Sequence, residues 1–229
     1  SDTETIVHAY EEWGTECLHR FNGMWAFALW DGPRKSLFLG RDRFGIKPLY
    51  YHYDGRRLLF ASEIKALLQD RSIRVRPNDR VVYEYLMYGL HDHGEETFFE
   101  GVKRLLPGHY MLVNKSGLTV ERWWKFKINR ELSSPPGKDE EYAKRFYELL
   151  QDAVRLRLIS EVPVGTCLSG GTDSSSIVCI VNKLLVEKGW AKDVIGERQK
   201  TFSAVYDDPG IDERKYIDEV VDHTRVEKN

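Results

Sequence analysis

Cysteine is scarce in this chain. Of 229 residues only Cys17, Cys167 and Cys179 carry thiols. The set is odd, widely spaced and without a CxxC, which excludes a disulfide framework and a thiolate zinc site and fits a reducing cytoplasm. Long apolar runs are missing too. No stretch approaches the roughly 20 residues of a membrane helix, and no secretory h-region is seen, so no membrane partner is expected. Neither sign of charge dominates: 34 Lys and Arg stand against 36 Asp and Glu, a formal net charge of −2. That leaves no basic footprint for nucleic acid. Repeats and low-complexity tracts are absent. What remains, 41% hydrophobic and 12% aromatic residues, is the composition of a globular chain of one or two domains.

One further absence is local. Residues 167–176 read CLSGGTDSSS, a glycine-rich turn between the apolar run 162–168 and a segment in which Ile177, Val178, Ile180, Val181, Leu184 and Leu185 recur at helical spacing. A strand, tight loop and helix in that order aim free backbone N–H groups and the positive end of a helix dipole at one point, which suits phosphate. A Walker loop would place a lysine on the outer phosphates, and here there is none. Gly170 and Gly171 allow close backbone approach, Ser169, Ser174 and Ser175 add hydroxyls, and Asp173 brings a carboxylate. A carboxylate beside a polyphosphate is repelled unless a cation lies between them, so Asp173 implies Mg²⁺. Held this way, the β- and γ-phosphates of ATP suit a leaving unit, and attack at the α-phosphorus is compatible with the loop's chemistry.

Upstream, GMWAFALW, SLFLGRDRFG, PLYYHY and RRLLFAS alternate with turns and predict antiparallel strands, with Asp54 and Gly55 as a two-residue hairpin turn. Helices are expected over 3–13, over 62–68 with Ser62 as N-cap, and over 77–88. HYMLVN and LTVERWW form another hairpin through Lys115, Ser116 and Gly117. This block is α+β. At 129–138, NRELSSPPGK breaks the apolar alternation and marks a domain boundary. Beyond it a helix over 139–160, the strand and loop above, a second strand TFSAVY and a helix over 211–226 alternate in the way of an α/β domain, a parallel sheet covered on both faces.

SGGTDSS resembles the SGGxDS pyrophosphate loop of the ATP-pyrophosphatase group, and VPVGTCLSGGTDSS is similar to the synthetase domain of glutamine-hydrolysing asparagine synthetases. FNGMWAFALWD, GRDRFGIKPLYY and FASEIKALL resemble, in order, the latter part of the N-terminal nucleophile glutaminase domain of the same enzymes, and LLPGHYMLV with RWW their interdomain segment. The resemblance implies an incomplete αββα glutaminase sandwich with its interdomain segment over 1–128, and the start of a parallel-sheet ATP-pyrophosphatase domain over 139–229. It implies glutamine, aspartate and ATP as small-molecule substrates, with Mg²⁺, a β-aspartyl-AMP intermediate and a homodimer. By position, SDTE places Asp2 on the glutamine α-amino group, Cys167 and Ala204 against the adenosine, and Asp173 on Mg²⁺ and pyrophosphate.

The departures matter as much. No cysteine stands at position 1, and the family's substrate arginine and NGE-type oxyanion-hole segments would precede Ser1, while SGEGxDE would follow Asn229. The chain is therefore expected to be an internal piece of a longer protein, without a catalytic nucleophile and unable alone to hydrolyse glutamine. Cys17 and Cys179 read as buried structural thiols and not substitute nucleophiles. His91 and His93 in GLHDHGEE are not expected to bind metal. Arg41, Asp42 and Arg43 in GRDRFG predict an internal ion-pair network. Related readings are an amide-forming cyclase that adenylates another carboxylate, and a non-catalytic binding protein on the same fold.

Overall fold

The computed structural model describes residues 1–128, 137–208 and 210–229. The polar boundary segment lies, over 129–136, outside the described residues. The chain divides into two compact units, Ser1–Asn129 and Arg130–Asn229.

In the first unit, α1 (Asp2–Trp13) starts from a capping box in which Ser1 Oγ accepts the Glu4 N–H and the Glu4 carboxylate accepts from the Ser1 amino group. There follow β1 (Ala26–Asp31), β2 (Ser36–Arg41), β3 (Tyr50–Tyr53), β4 (Leu58–Ala61), α2 (Ile64–Leu67), α3 (Asp79–Tyr88), β5 (Lys103–Arg104), β6 (His109–Asn114) and β7 (Gly117–Arg122). Two antiparallel sheets result, ordered β1-β2-β6-β7 and β4-β3-β5. Strand alternation assigns their faces. Phe38 of β2 packs with Tyr10, Cys17 and Leu18 beneath α1. Its neighbour Leu39 points the other way, to Leu49, Tyr51, Leu105 and Met111, so the sheets stack through that cluster. The outer face of the second sheet sends Tyr50 and Leu59 against Ile64 and Leu67 of α2. Helix, sheet, sheet and helix form the expected αββα layering.

Several local expectations change. The second helix is capped at Glu63, not Ser62, and without a side-chain bond. The Asp54 turn closes through Arg57, with the Asp54 carboxylate accepting the Arg56 and Arg57 amides, so it is longer than a two-residue turn. The ion-pair network at 41–43 is instead directed at backbone. Arg41 donates to the carbonyls of Gly45, Lys47 and Leu105, and Arg43 to those of His19 and Phe21. Asp42, 2% exposed, accepts the amides of Trp25, Phe44, Ile46 and Lys47. A turn that leaves the sheet has backbone groups without ladder partners, and buried charged side chains satisfy them at short range.

The second unit runs α4 (Asp139–Arg157), β8 (Thr166–Cys167), α5 (Thr172–Lys188), α6 (Lys192–Ile195), β9 (Lys200–Phe202), α7 (Arg214–Thr224) and β10 (Glu227–Lys228). Its sheet, β10-β9-β8, is parallel throughout. Leu168 and Val226 meet Val178 of α5 and Ile217 of α7 on one face, and α4 packs on α5 through Val154 and Leu158. Cys167 and Phe202 lie opposite each other in register and both are exposed, so among the described residues the helices cover one face of this sheet, not both. The strands are shorter than the runs 162–168 and TFSAVY suggested. Pro163 has no N–H for a ladder, Val164 donates to Val194 O, and β10 is an element the sequence did not announce.

Candidate functional site

The site begins where β8 stops. Leu168 N–H donates to Phe202 O at 2.9 Å, the last link between the strands, and the chain then turns through Ser169, Gly170 and Gly171 into α5. Gly170 has φ +83°, and Gly171, at φ −69° and ψ 158°, is the N-cap of α5 but supplies no side chain. The first helical bond runs from Ser175 N–H to Gly171 O at 3.0 Å. The amides of Gly170, Gly171, Thr172, Asp173 and Ser174 consequently have no acceptor among the described residues. They lie at the positive end of a 17-residue helix, beyond the carboxyl ends of parallel strands, where anionic ligands of such sheets sit.

The serines divide. Ser174 Oγ donates to Gly171 O at 3.1 Å, accepts the Ser169 amide at 3.3 Å and meets Ser169 Oγ at 3.0 Å, so its hydroxyl staples the loop to itself. Ser169 Oγ keeps capacity for a ligand. Ser175 Oγ is buried without a partner among the described residues, and its residue lines a groove of about 700 Å³ walled by α4, α5 and the end of α7, with Phe146, Cys179 and His223. Asp173 is exposed in the first turn of α5 and makes neither hydrogen bond nor ion pair among the described residues. No group of three metal-ligating side chains occurs among those residues. Asp173 is thus a single carboxylate that could hold a cation there, with the remaining ligands coming from outside the described residues.

Cys167 ends β8 and Ala204 follows β9, both exposed. Residues 167–175 and 204 thus lie at or beyond the carboxyl ends of β8 and β9. Asp2 belongs to the other unit, where it sits exposed in the first turn of α1. Cys17 is buried, and that burial pushes its thiol up to about 11. Cys179 is only half-buried and lines the groove, a different setting from the core position expected. His93 Nε2 lies 3.0 Å from Glu84 Oε2.

Sequence reasoning missed what stands behind the loop. A Cβ built on Gly170 would lie 2.7 Å from Tyr216 Cβ, 3.2 Å from Ile217 N and 3.3 Å from Glu213 O, so the first turn of α7 presses on the loop's backbone. Arg214 fixes that turn. Its Nε donates to Asp212 Oδ2 at 2.7 Å and its Nη2 to Tyr206 O at 2.6 Å, while its amide donates to Asp212 Oδ1 at 3.3 Å. Burial alone would raise the Asp212 carboxyl, but the Arg214 guanidinium and amide outweigh it and hold the group below the usual range. An acid just ahead of a helix was the available signal; Tyr206, whose carbonyl accepts from Arg214, was not visible.

Residues 1–124 match the glutamine amidotransferase domain family and residues 145–229 the asparagine synthase family. Asparagine synthetase [glutamine-hydrolyzing] 3 of Bacillus subtilis is 39% identical over 180 residues, 79% of this chain and 29% of that protein. Asparagine synthetase [glutamine-hydrolyzing] 2 of the same organism is 36% identical over 187 residues, 77% of this chain and 25% of that protein. Amidase chyE of Penicillium rubens is 34% identical over 222 residues, 93% of this chain and 32% of that protein. The chain thus spans about a third or less of the length of these relatives.

Proposed function

The chain belongs to the family in which a glutamine amidotransferase domain continues into an asparagine synthase domain, and from that premise we propose that it is part of an ATP-dependent amide-forming ligase. We assign residues 1–128 to the glutaminase side and its interdomain segment, and residues 139–229 to the nucleotide side. The observation that carries the reading is the run of five amides from Gly170 to Ser174, without acceptors among the described residues, beside Asp173, whose carboxylate has no partner among them. Those amides and Ser169 Oγ would hold the β- and γ-phosphates of ATP, with the adenosine against Cys167 and Ala204 beyond the ends of β8 and β9. Asp173 would hold Mg²⁺, which when bound supplies positive charge between that carboxylate and the phosphates.

The reaction we assign is formation of asparagine from aspartate, glutamine-derived ammonia and ATP. An oxygen of the aspartate β-carboxylate bonds to the α-phosphorus as the α-phosphorus bond to the bridging oxygen breaks, releasing pyrophosphate and leaving β-aspartyl-AMP. Ammonia then bonds to the acyl carbon, the acyl C–O bond breaks, AMP departs and a proton is lost to solvent. The five amides stabilise charge growing on the leaving pyrophosphate without moving. Asp2 would take the α-amino group of glutamine in the first unit. The whole protein would work as a homodimer in the cytoplasm.

One relative is named an amidase and not an asparagine synthetase, and a second reading accordingly keeps the adenylation but assigns it a carboxylate other than aspartate. ATP–pyrophosphate exchange by the whole protein tests both. Exchange that requires L-aspartate supports the asparagine reading. Exchange indifferent to aspartate but driven by another carboxylate moves the assignment to the related ligases, and no exchange with any carboxylate leaves a binding protein.

A further inference from the structure

The β9–α7 connection touches both halves of the proposed nucleotide site. Tyr206 lies just beyond Ala204, on the adenosine side, and Arg214 Nη2 holds its carbonyl at 2.6 Å. Through Asp212, the same guanidinium fixes the start of α7. The first turn of α7 in turn abuts Gly170, on the phosphate side, so closely that a methyl group would not fit. Ile217, the residue of that turn that enters the core, is fully buried between Leu168 and Val178. The turn therefore cannot slide along the loop without opening the core.

We infer that Arg214 is a positioning residue for the nucleotide, which sets the separation between the adenosine edge at Ala204 and the phosphate loop at Gly170. This rests on the nucleotide reading above. Its guanidinium is half-exposed, has no hydrogen bond to the loop among the described residues, and also lies 3.6 Å from the Asp207 carboxylate. What it supplies is registration: two donors in a fixed fork, one to the carboxylate that starts α7 and one to the carbonyl that follows β9. A lysine carries the charge but has a single point donor, which cannot span both acceptors in the same way.

This role has a signature that loss of stability lacks. When the brace is released each half-site can still accept its own fragment, but a ligand that must occupy both meets a site of the wrong length. Calorimetric titration of the whole protein with ATP, AMP and inorganic pyrophosphate, for wild type, Arg214→Ala and Arg214→Lys, reads it directly. Arg214→Ala is expected to weaken ATP by about fivefold, the scale of a half-exposed charge-assisted pair, while AMP and pyrophosphate each change by less than about twofold. Arg214→Lys shows the same selectivity at smaller amplitude and serves where the alanine variant does not fold. Equal weakening of all three ligands, or no weakening of ATP in a folded variant, overturns the inference. A wild-type protein that binds none of the three overturns the nucleotide reading itself.

Discussion

The two adjacent glycines of the loop should respond very differently to the same methyl group. At Gly170 the backbone has φ +83°, where an L-residue costs about 1–2 kcal/mol. The added Cβ would also stand 2.7 Å from Tyr216 Cβ, an atom that moves only if α7 moves, and overpacking of that kind costs about 1–3 kcal/mol. Gly170→Ala is therefore expected to destabilise the second unit by about 2–5 kcal/mol, a large share of the roughly 5–15 kcal/mol that holds a domain folded. Gly171 has φ −69°, and its nearest neighbour is Ser169 Oγ at 3.5 Å. Gly171→Ala should cost roughly 0.5–1 kcal/mol, the difference between glycine and alanine as a helix N-cap. Urea unfolding of the whole protein, followed by a probe in the second unit, gives both values, and titration with inorganic pyrophosphate shows whether the loop keeps its shape. A loss at Gly170 no larger than the roughly 1–2 kcal/mol that its positive φ costs by itself would refute the argument that α7 braces the loop.

Two other expectations concern the first unit and the thiols. The Asp31 carboxyl accepts the Arg34 amide at 2.9 Å and its guanidinium at 2.7 Å, and these bonds, the amide first, hold its pKa below the ordinary carboxylate value. A lowered folded-state pKa contributes stability that is whole above about pH 4, near the unfolded value, and is lost as pH falls through the folded one. Asp31→Asn should thus flatten the acid limb of urea midpoints measured against pH, and an unchanged limb would count against the pairing. Cys17, its pKa pushed up to about 11 by burial, should resist iodoacetamide at pH 8 until the first unit unfolds, whereas the exposed Cys167 reacts in the native state; mass-spectrometric mapping that finds Cys17 labelled first would contradict its burial.

Patterns with a short period carried most of what was readable. The antiparallel strands β1 and β2 and the helices α1 and α5 each follow from residues a few positions apart, and so does the sequence of strand, glycine-rich turn and helix around Gly170. Strand ends were less legible. The apolar run 162–168 looks like a full strand, yet pairing is limited to Thr166 and Cys167, because a ladder needs a neighbour with free groups as well as a suitable sequence. Charge pairing at 41–43 was also misread. Opposite charges close in sequence suggest ion pairs, but in a buried turn the unpaired backbone groups are nearer and take those side chains first.

The sequence by itself determined that a glycine-rich turn joins a strand to a helix and sets Ser169, Asp173 and Ser174 beside that helix's first amides, since that depends on contiguous residues and backbone sterics. Only the tertiary structure decided which glycine has no room for a methyl group, which serine hydroxyl is spent inside the loop, and that Arg214 ties the start of α7 to Tyr206. Those outcomes arise where segments distant along the chain come within a few ångströms, and distances of that kind are fixed by packing, not by local pattern.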